Sequence, residues 1–296
     1  MQTVQGVAVA RTCAEFSAWC RSFRAGGRTL GLVPTMGALH QGHATLMRMA
    51  AQHADGVAVS IFVNPKQFGP AEDFGRYPRQ FEGDCALCAA AGVAVVFAPA
   101  VEELYPAGFQ TRVEVEQLQA RWEGQSRPGH FAGVATVGIK LLNLALADVA
   151  VFGEKDWQQL AIVARMARDL GHPTRILGAP IARDPDGLAQ SSRNAYLSAD
   201  ERSRARAISA GLRAVARAAA DGQRATAPLV AQLRAHIEAA GGRIDYATIV
   251  DAATLEHLDC LDRPARALVA AWFGAPKLLD NWALGPSDSA DAGNMR

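Results

Sequence analysis

The sequence predicts an α/β protein, with a parallel sheet that has helices on both faces, followed by a smaller α+β C-terminal domain. Up to Ile181, short apolar runs alternate with longer segments of helical periodicity, which is typical of a parallel sheet covered by helices. After Asp184-Pro-Asp-Gly187, Ala/Arg-rich helical patterns and then strand-like runs follow. The 296 residues exceed the usual size of one domain, and half of them are apolar. The composition therefore favours two folded domains sharing a cleft and excludes a disordered or fibrous chain.

The first predicted domain spans residues 1–184. Its predicted strands are Thr29–Val33, Val57–Val63, Val93–Ala98, Val149–Phe152 and Thr174–Ile181. Its predicted helices lie near residues 12–25, 43–54, 78–91, 133–147 and 156–170. Parallel sheets of this kind bind ligands beyond the carboxyl ends of their strands. Three loops in those positions, Pro34–His43, Asn64–Tyr77 and Gly153–Gln159, are therefore expected to converge on one edge of the sheet.

The second predicted domain spans residues 185–286 and is smaller and mixed. Its helices are expected from Ser198 to about Ala220 and near residues 227–240, and its strands at Asp245–Val250, Ala267–Phe273 and Leu278–Trp282. The first helix begins with Ser198-Ala-Asp-Glu201, a capping box. Its arginines are interleaved with Glu, Asp and Ala, which favours a solvated face over a nucleic-acid surface. Residues 287–296, rich in Ser, Asp, Ala and Gly, are predicted to form a disordered tail.

The charge and the cysteines indicate small-molecule partners and a reducing compartment. A net charge of +1 gives no global field that would attract nucleic acid or a membrane. The five cysteines are odd in number and scattered, which does not suit a disulfide framework. Cys85-Ala-Leu-Cys88 is better interpreted as packed free thiols than as a redox pair. The first residues lack the pattern of a signal peptide and no apolar run is long enough for a membrane span, so we expect a cytoplasmic protein.

The most informative segment is Pro34-Thr-Met-Gly-Ala-Leu-His40-Gln-Gly-His43, where a strand gives way to a turn and then a helix. A helix start presents unpaired N–H groups and the positive end of the helix dipole, and both favour phosphate. His40 and His43, three residues apart, can face the same way and donate hydrogen bonds to charge that develops on phosphorus. Gly37 and Gly42 allow close backbone approach. A zinc site is less favoured, because no third ligand lies at a suitable spacing.

Six segments together resemble one enzyme family. They are Pro34-Thr-Met-Gly-Ala-Leu-His40-x-Gly-His43, Ser60-Ile-Phe-Val-Asn-Pro-x-Gln-Phe68, Glu72-Asp-Phe-x-x-Tyr-Pro-Arg79, Arg127-Pro-Gly-His-Phe131, Phe152-Gly-Glu-Lys-Asp-x-Gln-Gln-Leu160 and Ser191-Ser-Arg-Asn194. In this order they resemble the pantothenate synthetases, the pantoate–β-alanine ligases of the nucleotidylyltransferase and class I aminoacyl-tRNA synthetase-like superfamily. The resemblance implies a Rossmann-like parallel sheet. It covers roughly residues 28–200, and the C-terminal third matches more in length than in motif.

The resemblance also implies a reaction in two steps. ATP and pantoate give pantoyl adenylate and pyrophosphate, and the amine of β-alanine then displaces AMP to form the amide. Adenylation gives an unreactive carboxylate a good leaving group, so the protein mainly positions its substrates and stabilises charge at the α-phosphate. Magnesium is expected as the metal complex of ATP. A homodimer is also implied.

By resemblance, the catalytic residues are His43, His40, Lys155 and Arg193, with His43 the strongest candidate. The residues expected to bind ATP are Pro34, Thr35, Met36, Gly37, Ala38, Leu39, His40, Gln41, Gly42, His43, Gly153, Glu154, Lys155, Asp156, Ala182, Gln190, Ser191, Ser192 and Arg193. Lys155 offers a point charge to the phosphates, and Ser191, Ser192 and Arg193 resemble a mobile loop that gathers the β- and γ-phosphates. Asp156 is either a ligand contact or a cap of the next helix.

The resemblance assigns pantoate to Gln67, Gln159 and Met36, and β-alanine to Gln67, Asn64, Arg127 and His130. A glutamine amide offers both a donor and an acceptor without a charge, which suits a small hydroxy acid. Asp84 is a possible Mg²⁺ contact, although a carboxylate on a helix surface is the simpler interpretation.

Three residues depart from the family's usual pattern. Gln190 stands where Met is common, Ala182 where Val is common, and Ala147 where Pro is usual. Gln190 and Ala182 are expected near the adenine and can alter nucleotide affinity. Two alternatives remain open. One is a nucleotidyltransferase that releases a nucleotide-linked product, and the other is a nucleotide-binding protein without activity.

Overall fold

The fold combines a large, mostly parallel sheet with a small antiparallel one. The computed structural model describes residues 1–70, 72 and 74–285. Its strands are β1 (Gln2–Val4), β2 (Val7–Ala10), β3 (Leu30–Thr35), β4 (Gly56–Ile61), β5 (Val95–Phe97), β6 (Val149–Gly153), β7 (Arg175–Ala179), β8 (Arg243–Asp251), β9 (Ala265–Trp272) and β10 (Lys277–Leu284). Its α-helices are α1 (Cys13–Arg24), α2 (Gln41–His53), α3 (Phe81–Ala90), α4 (Val101–Leu104), α5 (Glu116–Gln119), α6 (Glu123–Ser126), α7 (His130–Ala145), α8 (Trp157–Asp169), α9 (Ala199–Ala220) and α10 (Thr226–Ala239). Short 3₁₀ turns span Pro65–Gln67, Phe74–Arg76, Glu154–Asp156 and Ser192–Tyr196.

The large sheet has the strand order β1-β2-β5-β4-β3-β6-β7 and is parallel except for β1. Side chains of β4 alternate between two cores, as the pleat requires. Ala58 lies in the core that contains residues of α1, α7 and α8, whereas Val57 and Val59 lie in the core that contains residues of α2 and α3. The predicted parallel sheet with helices on both faces is therefore confirmed, and its five predicted strands are present with ends shifted by at most two residues.

Two strands at the N-terminus were not predicted. β1 and β2 form a hairpin around Gln5-Gly6, both with positive φ, of 49° and 85°. A turn of this kind is usually signalled by Asn-Gly or Asp-Gly, and Gln-Gly is a weaker signal. β2 then joins the large sheet beside β5, which comes much later in the chain. The short helices α4, α5 and α6, between β5 and α7, were not predicted either.

The small sheet has the antiparallel order β10-β9-β8. Helices α9 and α10 pack on it through buried side chains such as Leu212 and Leu233, which share a core with Ile249 and Val269. This confirms the predicted α+β C-terminal domain, and the capping box that begins α9 is present. The predicted boundary between residues 184 and 185 falls between β7 and α9 and stays a prediction. The predicted tail, residues 287–296, lies outside the described residues.

The cysteines are free thiols. None of the five is in a disulfide, and Cys85 and Cys88 are fully buried on α3. Burial raises the pKa of Cys88 to about 12. The two buried, unbridged side chains agree with the interpretation as packed free thiols. The compartment stays a prediction. Across the described part of the chain, no α-helix has the length and apolar character needed to cross a membrane.

Candidate active site

A cleft opens beside β3, at the carboxyl ends of the parallel strands. β3 pairs with β4 from Leu30 to Thr35, but with β6 only at Gly31 and Leu32. Pro34 has no N–H with which to continue the second pairing. The next two strands of the chain, β4 and β5, lie on one side of β3, and the two after them, β6 and β7, lie on the other. Sheets of this kind bind ligands at such a change of direction.

A cavity of about 240 Å³ lies in this cleft. The predicted site residues that line it are Pro34, Thr35, Met36, His40, Gly42, His43, Asn64, Gln67, Arg127, His130, Gly153, Lys155, Asp156, Gln159, Ala182, Gln190, Ser191, Ser192 and Arg193. The predicted residues that do not line it are Gly37, Ala38, Leu39, Gln41, Asp84 and Glu154. The three predicted loops therefore do converge on one edge of the sheet.

The two histidines cap helix α2 and are oriented by it. His40 is the N-cap residue, and its Nδ1 accepts a hydrogen bond from the N–H of Gly42 at 3.1 Å. His43 Nδ1 in turn accepts one from the N–H of His40 at 3.2 Å. Since a backbone N–H can only donate, each ring carries its proton on Nε2. The helix cap therefore sets the tautomer of both histidines.

Both rings are held in the neutral state. Desolvation, then the proximity of His40 and of Lys155, lowers the pKa of His43 to about 3. Desolvation also lowers the pKa of His40, and Lys155 adds to this effect. The ring centroids are 4.2 Å apart. The pair can therefore present uncharged Nε2–H donors side by side at a helix start that favours phosphate.

The cations of the site come from two other loops. Lys155 lies in the 3₁₀ turn after β6, and its Nζ is 3.4 Å from Asp156 Oδ1. Asp156 stands at the N-cap position of α8, but its side chain makes no capping hydrogen bond, so the predicted cap is wrong. Arg193 lies two residues after Ser191, and its backbone N–H donates to Ser191 Oγ at 3.3 Å. Both cations line the cavity.

Two glutamines line the cavity, and their amides differ in whether other residues already hydrogen bond them. Gln67 is buried, its Oε1 accepts from Asn64 Nδ2 at 3.0 Å, and its Nε2 lies 3.0 Å from Met36 Sδ. Asn64 is fully engaged, because its amide also donates to a backbone carbonyl and accepts from Tyr105 at 2.8 Å. The amide of Gln159 makes no hydrogen bond to another described residue, so it is available to a ligand.

Comparison with known protein families agrees with these residues. The sequence model of the family described as Pantoate-beta-alanine ligase matches residues 8–283. The chain belongs to the pantoate–β-alanine ligase family. The match runs through both sheets, so it confirms the resemblance carried by the six segments and extends it into the C-terminal domain.

Named relatives support the same assignment. The pantothenate synthetase of Myxococcus xanthus is 52% identical over 286 residues, which is 96% of this chain and 98% of the relative. A crystal structure of pantothenate synthetase from Thermus thermophilus has a TM-score of 0.90 at 45% identity, and the match covers 95% of this chain and 100% of that chain. The pantoate-beta-alanine ligase of Francisella tularensis, complexed with beta-gamma ATP and beta-alanine, has a TM-score of 0.77 at 32% identity and covers 93% of this chain and 97% of that chain.

In this ligase Arg127 and His130 form part of the wall of the cavity. Arg127 binds Glu72 with two nitrogens, Nε to Oε1 at 2.7 Å being one of the bonds. His130 Nδ1 donates to the carbonyl oxygen of Gln67 at 2.8 Å, and its Nε2 accepts from Arg127 at 3.1 Å. Desolvation, then Arg127, lowers the pKa of His130 to about 4. The predicted contact of Arg127 with a substrate carboxylate would require the pair with Glu72 to open.

The turn after β3 is held by a buried carboxylate. The N–H groups of Ala38 and Leu39 donate to Asp84 Oδ2 and Oδ1 at 3.0 and 2.7 Å. Gly37 has φ +82°, and a Cβ there would come within 3.0 Å of Asp84 Oδ2. Asp84 is only 1% exposed, so its interpretation as a helix-surface carboxylate is wrong. It is a positioning residue for this turn, and both of its oxygens are already used by the backbone.

Replacing Asp84 with asparagine is expected to raise the KM for ATP and to destabilise the fold. The amide keeps one acceptor but turns an N–H group towards one of the two backbone donors, leaving that donor unsatisfied at a cost of about 1–3 kcal/mol. Urea denaturation and ATP-dependent kinetics measure the two effects. Glu82→Gln, on the same helix and exposed, is the control. An unchanged KM for ATP in folded Asp84→Asn would contradict the role of Asp84.

Several residues that support the site were not identified from the sequence. Glu72, Glu123 and Asn281 line a cavity next to the first one, whereas Tyr105 and Arg266 lie behind the walls and contact Asn64 and Glu154. Each acts through a partner far away in the chain, as in the contact of Tyr105 with Asn64, 41 residues apart. A second cavity of about 640 Å³ adjoins the first between the large and small sheets, and Arg127, Lys155, Ser191 and Arg193 line both.

Proposed function

We propose that this chain condenses pantoate with β-alanine and converts ATP to AMP and pyrophosphate, through a pantoyl-adenylate intermediate. Its family assignment makes it a ligase that forms an amide bond. The observation that carries the proposal is the cavity that joins two neutral histidines, Lys155 and the amides of Gln67 and Gln159. The complex of the Francisella tularensis relative with beta-gamma ATP and beta-alanine supports the choice of substrates.

In the first step a pantoate carboxylate oxygen attacks the α-phosphorus, and the bond to the β-phosphate oxygen breaks to release pyrophosphate. Negative charge spreads over the phosphate oxygens in the transition state. The Nε2–H groups of His40 and His43 and the ammonium of Lys155 stabilise that charge. The helix cap fixes the two rings and the 3₁₀ turn fixes the backbone of Lys155, so beyond the move of the lysine side chain to phosphate little rearrangement is needed.

In the second step the β-alanine amine attacks the acyl carbon, AMP leaves with the bond electrons, and the amine loses a proton. Gln159 and Gln67 hold pantoate through its hydroxyls and carbonyl, because their amides both donate and accept. Asn64 positions Gln67 through its amide. His43, with its low pKa, is a hydrogen-bond donor and not the base that takes this proton.

Magnesium is proposed to enter as the complex of ATP. No three His, Cys, Asp or Glu side chains cluster as a metal site among residues 1–70, 72 and 74–285. The phosphate side of the cavity instead offers Lys155 and Arg193. These two cations would bind phosphate and not the metal, so Mg²⁺ would be held mainly by phosphate oxygens and water. When bound, the ion would neutralise part of the phosphate charge. A homodimer is also part of the proposal, and its test is light scattering.

The adenylation rate is expected to show no loss from protonation of His43 between about pH 5 and 8. His43, with a pKa of about 3, is already neutral well below the usual value of 6.5. Stopped-flow adenylation against pH measures this, and ¹⁵N NMR of the His43 ring should show Nε2 protonated and Nδ1 unprotonated throughout. A loss of rate on acidification that follows His43 protonation near 6.5 would contradict the assignment.

The proposed function is tested with pantoate labelled with ¹⁸O in its carboxylate. The protein is incubated with ATP, Mg²⁺ and labelled pantoate, with and without β-alanine, and the products are followed by mass spectrometry. Through the adenylate, one ¹⁸O passes to AMP when the amide forms. A nucleotide-linked product would favour a nucleotidyltransferase, and untouched ATP would favour a binding protein without activity.

A further inference from the structure

The small sheet contacts the candidate active site through two adjacent buried residues of β10. Asp280 and Asn281 are 4% and 1% exposed. Successive side chains of a strand point in opposite directions. The two residues accordingly contact two different loops beside the large sheet, and each of these loops leads to a cation that lines the cavity, Lys155 or Arg193.

Asn281 holds the backbone that carries Lys155. Its Nδ2 donates to the carbonyl oxygens of Glu154 and Lys155, at 2.8 and 2.9 Å. Its Oδ1 accepts from Arg266, which also donates to Glu154 Oε2 at 2.9 Å. Both N–H groups of the amide are therefore used on consecutive carbonyls of one 3₁₀ turn.

Asp280 holds the segment that leads to Arg193. Its two oxygens accept from both terminal nitrogens of Arg183, at 2.6 and 2.8 Å. Arg183 forms an isolated β-bridge with Ala189, so it lies at the base of the loop that continues into Ser191 and Arg193. The carboxylate is buried and bidentate, which fixes the orientation of the guanidinium.

We propose that Asp280 and Asn281 are positioning residues that set the placement of Lys155 and of the Arg193 loop from the small domain. The inference rests on the proposed function. Buried polar pairs add little to stability compared with apolar packing. If β10 only had to pack against the large sheet, apolar side chains at positions 280 and 281 would serve as well. A backbone shift of about 1 Å at a charge-stabilising group can cost roughly 100-fold in rate.

The test measures pantoate-dependent exchange of pyrophosphate into ATP. Asn281→Ala is expected to lower the kcat of exchange roughly 10- to 100-fold, with little change in the KM for pantoate. In a Lys155→Ala background the same substitution should have an effect below about twofold, because the group through which Asn281 acts is gone. Asp280→Asn is tested in the same way, alone and in an Arg193→Ala background, with the same pattern expected.

Thr226→Val is the matched control. It removes a buried bond from Thr226 Oγ1 to the carbonyl of Leu258 within the small domain, away from the cavity. It should lower stability without changing kcat. Additive effects of Asn281→Ala and Lys155→Ala, or an unchanged kcat in folded Asn281→Ala, would overturn the inference. If Asn281→Ala does not fold, Asn281→Asp keeps the acceptor for Arg266 and removes the two donors, and the same outcomes apply.

Hydrogen exchange separates this inference from the proposed function. Amides of residues 154–156 should exchange faster in Asn281→Ala, and those of 189–193 faster in Asp280→Asn, while neither changes in Thr226→Val. Unchanged protection in both segments would overturn the inference whether or not the wild-type protein turns over. Wild-type protein that supports no pyrophosphate exchange would overturn the proposed function instead.

Discussion

Replacing His43 with alanine is expected to lower the rate of pantoyl-adenylate formation roughly 100-fold or more. The substitution removes an uncharged Nε2–H donor. The backbone N–H of His40 sets this tautomer of the ring by donating to Nδ1. Because that donor binds charge that develops in the transition state, kcat should fall more than the KM values rise. Rapid-quench measurement of the first turnover with ATP and pantoate isolates this step from amide formation.

The controls for this prediction come from the same helix. His53, exposed near the end of α2, is replaced by alanine to test for any general effect of losing a histidine. His43→Ala also removes half of the capping box, which costs about 0.5–2 kcal/mol, so urea denaturation is recorded for each variant. His43→Gln, which offers an amide N–H, should recover part of the rate. A full rate in folded His43→Ala would show that this histidine has no role in adenylation.

The parts of the site that could be predicted are those encoded locally. Pro34–His43 carries its own strand end, turn and helix cap within one short segment, so its place at the sheet edge followed from the sequence. The same holds for the Glu154–Asp156 turn after a buried strand. Periodicity also predicted the five strands that surround the cleft, because strands buried on both faces form continuous apolar runs.

What the sequence did not reveal depends on pairs distant in the chain. Asp84 lies 46 residues from Ala38, whose N–H it binds, and a carboxylate in a helix gives no sign of which backbone it will meet. Asn281 lies 127 residues from Glu154. Arg127 stays a predicted cation for substrate, and its pairing with Glu72, 55 residues away, could not be read from the sequence. Local patterns identify residue types that suit a site, and tertiary contacts then decide which of them stay available to a ligand.

Lys155→Ala is expected to lower adenylation by roughly 100-fold or more, because it removes an ammonium close to the helix start that carries the two histidines. The Lys155 side chain is 19% exposed, its partner Asp156 is 46% exposed, and the distance of 3.4 Å between Nζ and Oδ1 is longer than in a strong charged hydrogen bond. Lysine can therefore leave Asp156 for phosphate at little cost. Single-turnover kinetics at several ATP concentrations measure the loss in kcat and in KM separately.

Two further variants separate charge from shape. Lys155→Met keeps the length and apolar stem of the side chain without the charge, so it should be about as slow as Lys155→Ala. Asp156→Asn keeps Lys155 and removes its partner, so adenylation should stay within a few-fold of wild type because the pair is weak. If Lys155→Met retained the wild-type rate, stabilisation of phosphate charge would have to come from Arg193 and the helix start alone. If Asp156→Asn were instead as slow as Lys155→Ala, the carboxylate would be a participant in the reaction and not a resting partner of the lysine.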